Sequence, residues 1–209
     1  MDIERLDTER REWRADLAVH TLGLGLGAAG AIVMLAVTNR TQLLPVAVYL
    51  FGLLAMLSCS AVYNAWPSSR YREALRRLDH AAIFVMIAGT YTPLTLRLPA
   101  AWATGLAAGV WAAALVGVAA KLWQPRKVET LSVVLYLALG WIGLVAAGPL
   151  LASLDRTTLV LLLLGGLVYS GGVVFHLSKN GRYSRALWHA CVLVAAGVHY
   201  AAILTMLET

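Results

Sequence analysis

Residues 42–65 read QLLPVAVYLFGLLAMLSCSAVYNA and carry no charged side chain. As a helix, this stretch spans about 36 Å at about 1.5 Å per residue, enough to cross the roughly 30 Å hydrocarbon core of a bilayer. It is apolar on every face, which marks a helix buried in lipid or in a large core. A membrane-barrel strand would instead alternate apolar and polar residues over about ten positions. Six further runs of similar length and character lie at 17–38, 78–96, 99–120, 128–153, 157–177 and 185–207.

Composition leads to the same class. The 209 residues are 60% hydrophobic and 13% charged, with a mean hydropathy of +0.72. Soluble domains average about 45–50% apolar and about 25% charged. The expected fold is therefore an all-α membrane protein, a bundle of seven transmembrane helices. A net charge of +6 does not point to nucleic acid, because the basic residues sit in short connections between apolar runs. Cys59 and Cys191 fall inside apolar runs and read as packing residues, with no disulfide framework.

Orientation follows from the same basic residues. All but Arg40, Arg97 and Arg156 of the 17 lysines and arginines fall in the N-terminal tail or in the second, fourth and sixth connections. The positive-inside rule then predicts the N-terminus inside and the C-terminus outside. Residues 1–16 form a charged cytoplasmic segment, and 17–209 form the membrane domain. Ile3, Leu6, Trp13 and Leu17 recur near helical spacing, so the tail is expected to be an amphipathic helix lying on the inner leaflet. No cleavable signal peptide is expected, since the run after the charged tail is long enough to span. The pattern Gly25-x-Gly27-x-x-Gly30 matches a dinucleotide fingerprint, but it lies inside an apolar run with no strand before it and reads as close helix packing.

Polar groups inside a bilayer are costly, so each is a functional candidate. Odd-numbered runs begin, and even-numbered runs end, at the predicted inner face. His20, Ser60, Asn64, Asp79, His80, His176, Arg185 and His189 therefore fall in one layer near that face. Ser60 and Asn64 are four residues apart, as are Arg185 and His189, so each pair shares a helix face. His199 lies about 15 Å deeper than His189.

Several of these residues carry a resemblance. Ser60-Ala-Val-Tyr-Asn64, Arg77-Leu-Asp79-His80, Ile87-Ala-Gly89-Thr-Tyr91-Thr-Pro93 and Leu187-Trp188-His189 with His199 resemble the hemolysin III family, the bacterial branch of the progestin and adipoQ receptor proteins. The resemblance implies a seven-helix fold with an intramembrane zinc near the cytoplasmic side. It implies three histidine ligands, from a Ser-x3-His in the second span and a His-x3-His in the seventh, beside an aspartate in the third. Three imidazoles would leave a coordination position open for water, the arrangement of a catalytic zinc. The implied activity is hydrolysis of lipid amides.

The chain departs from that pattern where the ligands should be. Asn64 and Arg185 stand at two of the three ligand positions, leaving only His189, and the N-terminal motif is reduced to Trp13-x2-Asp16-x3-His20. Arginine stays protonated and does not ligate. The expectation is a degenerate site without a resident metal, in which an Asp79–Arg185 ion pair replaces the zinc. Asp79 and Ser60 remain the candidate catalytic groups, and a zinc site rebuilt on His20, His80 or His176 is the alternative. The expected function is sensing or modulating lipid or membrane state in the bacterial inner membrane, with membrane lipids as partners. The alternatives are a lipid-amide hydrolase with a rearranged site, and a pore or transporter. Internal repeats and midplane charges, the usual marks of a transporter, are not seen.

Overall fold

A computed structural model describes residues 3–123, 129–178 and 181–208, and the described residues form no strands. The helices are α1 (Ile3–Val37), α2 (Leu43–Ala65), α3 (Arg72–Leu94), α4 (Ala100–Trp123), α5 (Glu129–Gly140), α6 (Ala147–Ser153), α7 (Arg156–Leu177) and α8 (Ser184–Glu208). Six helical stretches are long and apolar enough to cross a membrane: Leu6–Val37, Leu43–Ala65, Ala100–Trp123, Leu131–Ser153, Arg156–Leu177 and Ser184–Glu208. Of the seven expected runs, the third lies on α3, which is less apolar because it carries Arg72, Glu73, Arg76, Arg77, Asp79 and His80.

Packing explains how α3 tolerates that content. It lies between α2 and α4, and much of its length is buried, including Asp79, Phe84, Met86, Gly89, Thr90 and Tyr91. Its backbone comes very close to that of α2. A Cβ on Gly52 would stand 3.0 Å from the Val85 carbonyl oxygen, and one on Gly89 would stand 3.2 Å from that of Val48. Small residues at such crossings let helix backbones meet in lipid, where apolar side chains gain nothing by leaving acyl chains. The polar start of α3 is handled at the surface, where Glu73 pairs with Arg76 at 3.2 Å and with Arg77 at 3.4 Å.

The helices pack in a ring. Chain neighbours α1, α2, α3 and α4 touch in order, α7 packs along α8, and α8 returns to α1. The circuit is completed by α5, which contacts α3, α4 and α7. At the Asp155 end of α7, the carboxylate caps the helix by accepting the Thr158 N–H at 3.0 Å.

The charged tail is helical from Ile3, as the first part of a continuous 35-residue α1. No glycine or proline interrupts the chain between Ile3 and Leu22, and Glu, Arg, Leu and Ala favour helix there. Tertiary contacts hold this extension against the bundle. The Trp13 indole donates to the Asn64 carbonyl at 3.3 Å, and the Glu12 carboxylate accepts the Tyr183 N–H at 3.2 Å. The fifth run is broken, because a 3-10 turn at Ile142–Ala146 separates α5 from α6.

Broken helices survive in lipid only when their freed backbone groups find partners. Tyr91 of α3 supplies both. Its hydroxyl donates to the Gly140 carbonyl at 2.6 Å and accepts the Gly143 N–H at 3.0 Å. Tyr91→Phe should therefore lower the thermal midpoint of the detergent-solubilised protein, at a cost of about 1–3 kcal/mol for the buried groups left unmade. An unchanged midpoint would show that the break is held by other contacts.

Candidate functional site

Asp16 and His20 stand four residues apart on one face of α1, and His189 approaches them from the first turns of α8. The His189 ring donates from Nδ1 to Asp16 Oδ1 at 2.6 Å. His20 Nε2 lies 3.8 Å from Asp16 Oδ2, and the two imidazole rings are 4.4 Å apart at 53°. Each residue offers a ligand atom within 4.8 Å of the others. All three are largely enclosed, with Asp16 2% exposed, His20 6% and His189 12%.

Among the described residues, two atoms in this cluster find no hydrogen-bond partner, Asp16 Oδ2 and His20 Nε2. Buried polar atoms are nearly always satisfied, since leaving one unmade costs about 1–3 kcal/mol. A carboxylate oxygen and an imidazole nitrogen left orphaned and facing each other form half of a metal site, and His189 supplies a third donor. Two histidines and one carboxylate are a known donor set for catalytic zinc, with a fourth position open. The residues present fit a divalent metal, though only His189 stands on a ligand position the resemblance implied.

The other sequence-predicted residues divide into those beside this triad and those away from it. The buried Asp79 carboxylate lies among Ser60, His189 and Asp16. Asn64 is buried nearby, but its side-chain amide turns back to donate to the Ser60 carbonyl at 2.9 Å. Arg185 is exposed, and among the described residues no salt bridge joins it to Asp79. The expected replacement of zinc by an Asp79–Arg185 pair is therefore not formed. An exposed guanidinium at the first turn of α8 keeps its hydration, and burying it beside Asp79 would forfeit that. His80 belongs to a separate cluster, with Nδ1 3.3 Å from Lys121 Nζ. His176 is exposed and packs on Trp188 at 4.9 Å between ring centroids. His199 lies deeper, bonded to the Leu162 carbonyl at 3.1 Å.

Asp16 fell outside the predicted polar layer because the first sixteen positions read as cytoplasmic, although the reduced motif Trp13-x2-Asp16-x3-His20 already placed it one helical turn from His20. His20 and His189 of the triad, with Asp79, border a cavity of about 780 Å3 within the helix ring. One end carries His20, Ser60, Asp79 and His189, and the remainder is lined mainly by apolar side chains such as Leu94, Leu150, Leu162 and Val192. A mostly apolar pocket with a few convergent polar groups is the usual form of a small-molecule site.

Residues 14–200 match the family described as Haemolysin-III related. The chain belongs to the haemolysin III family. It is 31% identical over 199 residues to the Hemolysin-3 homolog of Bacillus subtilis (strain 168), covering 93% of each chain. It is 29% identical over 201 residues to Hemolysin-3 of Bacillus cereus, covering 93% of this chain and 91% of that one. It is also 30% identical over 164 residues to the human Monocyte to macrophage differentiation factor, covering 75% of this chain and 67% of that one. The haemolysin III match includes α1 from position 14, so Asp16 and His20 lie inside the family domain.

The two ends of the cluster make opposite predictions for stability. Asp16→Ala removes the acceptor for a buried imidazole and should cost about 1–3 kcal/mol. Arg185→Ala should change stability by less than about 0.5 kcal/mol, as for an exposed residue without partners. Thermal unfolding in detergent reads both, and equal losses would restore the Arg185 ion pair.

Proposed function

We propose that this haemolysin III protein binds a lipid in the cavity of its helix ring and senses or modulates the state of the membrane, with zinc held on Asp16, His20 and His189 at the polar end. The observation that carries the reading is the pair of orphaned, facing atoms Asp16 Oδ2 and His20 Nε2, with His20 lining one end of a mostly apolar cavity. The site is degenerate at Asn64, whose amide is taken up by the Ser60 carbonyl, and at Arg185, which is exposed, and is rebuilt from α1. α3 serves as the seventh span: it is 23 residues long and sits in the ring between α2 and α4. The lysine and arginine bias then sets the N-terminus inside, and spans built from helices rather than barrel strands favour the inner (plasma) membrane.

Bound zinc would supply a positive pole and Lewis acidity at the cavity end. The chain's own groups do the rest. Asp16 orients His189 through the Nδ1–H bond. The apolar wall excludes water from a bound chain. A second reading, hydrolysis of a lipid amide, is favoured by one observation: the buried Asp79 carboxylate lines the same end of the cavity as His20 and His189.

Metal analysis by mass spectrometry on the detergent-purified protein tests the site. About one zinc per chain is expected, lost in Asp16→Ala and in His20→Ala and kept in His80→Ala. The triad falls if wild type carries none while the Asn64→His, Arg185→His double variant gains one. Incubation with a ceramide-type amide separates the two readings, since turnover abolished by Asp79→Asn selects the hydrolase.

A further inference from the structure

Lys121 closes the last turn of α4 and is 1% exposed, one of the largest fully buried side chains in the protein. Lysine is almost never fully buried, and a cation inside a membrane bundle marks a functional position. Lys121 Nζ lies 3.3 Å from His80 Nδ1, and the Tyr136 hydroxyl donates to the His80 carbonyl at 2.8 Å. Ser132, 2% exposed, bonds to the Tyr136 side chain. Lys121, His80, Ser132 and Tyr136 all line the same cavity as His20 and His189 of the triad. They come from α4, α3 and α5, whereas the triad comes from α1 and α8, so the cavity has two polar poles on different helices at one end.

The poles differ in charge type. The triad carries a carboxylate and suits a cation. The Lys121 pole presents an ammonium with three donors, an imidazole and two hydroxyls, a set that suits an anion. Asp79 stands at the same end, and beyond it the cavity is mainly apolar; its volume of about 780 Å3 is within the about 300–1,000 Å3 of pockets that hold one small molecule.

We propose that Lys121, with His80, Ser132 and Tyr136, forms an anion-binding pole that seats the headgroup of a single-chain anionic lipid, whose acyl chain fills the apolar part of the cavity. The recognised chemistry is one acyl chain bearing a carboxylate or a phosphate monoester. Lys121 sets the choice of anionic over neutral lipids. This rests on the lipid-cavity reading above and assigns that cavity a ligand class and a specificity residue.

The test is binding to the full-length detergent-purified protein, read by native mass spectrometry and by tryptophan fluorescence. The probes are a long-chain fatty acid, a lysophosphatidic acid and the matching neutral monoacylglycerol. Wild type should bind at least one of the two anionic lipids about tenfold or more tighter than the neutral one, the scale of a charge-assisted hydrogen bond. Which of the two binds identifies carboxylate or phosphate. Lys121→Met should remove that preference while leaving monoacylglycerol binding within about twofold, and Lys121→Arg should keep it. Equal binding of all three lipids by wild type overturns the anionic pole and leaves the lipid cavity standing. Failure to bind any of them overturns both. If Lys121→Met fails to fold, Lys121→Arg together with Ser132→Ala, which should weaken only the anionic lipids, decides the matter.

Discussion

The contact between Asp16 of α1 and His189 of α8 closes the ring. It joins the first and last long helices at 2.6 Å, across 173 positions of sequence, in a layer where both side chains are nearly cut off from water. A carboxylate in such a place must be compensated, because desolvating an unpaired charge costs far more than ordinary packing returns. His189 provides the compensation on one oxygen, and the second oxygen is left facing His20. The same two helices wall the cavity, so the shape of the pocket and the chemistry at its end depend on one polar contact.

The remaining architecture keeps polar and irregular backbone away from lipid. α3 carries the charges and hydroxyls least welcome in a bilayer, and it is the helix most enclosed by neighbours. Its close approach to α2 through Gly52 and Gly89 makes that enclosure tight. Tyr91, on the same helix, reaches across to satisfy the interrupted backbone between α5 and α6. The break in turn lets α5 and α6 line the cavity, with Tyr136, Gly140, Gly143 and Leu150 in its wall. Site and fold are thus coupled through α3: it presents Asp79 and His80 at one end and supports the broken span further along.

Haemolysin III membership explains the general plan. The polar layer is divided: one part gathers around Asp16, and another gathers around Lys121. Asn64 turns onto its own helix and Arg185 is exposed. A layer that looks uniform when positions are counted along each helix is divided by the direction in which each side chain points.

The sequence by itself determined the class and most of the helix limits. Continuous apolar runs can be satisfied only by helices in lipid, and this local rule predicted α2, α4, α7 and α8 to within a few residues. It also located the layer holding His20, Ser60, Asp79 and His189, because depth along a helix follows directly from residue number. Tertiary structure alone decided which of those residues meet. Rotation of each helix about its axis, the continuation of α1 into the charged tail, and the break after Gly140 all depend on contacts between distant segments. Asp16 read as part of a solvated tail and Lys121 as a topology signal, since burial of a charge is a property of its neighbours and no local pattern encodes it.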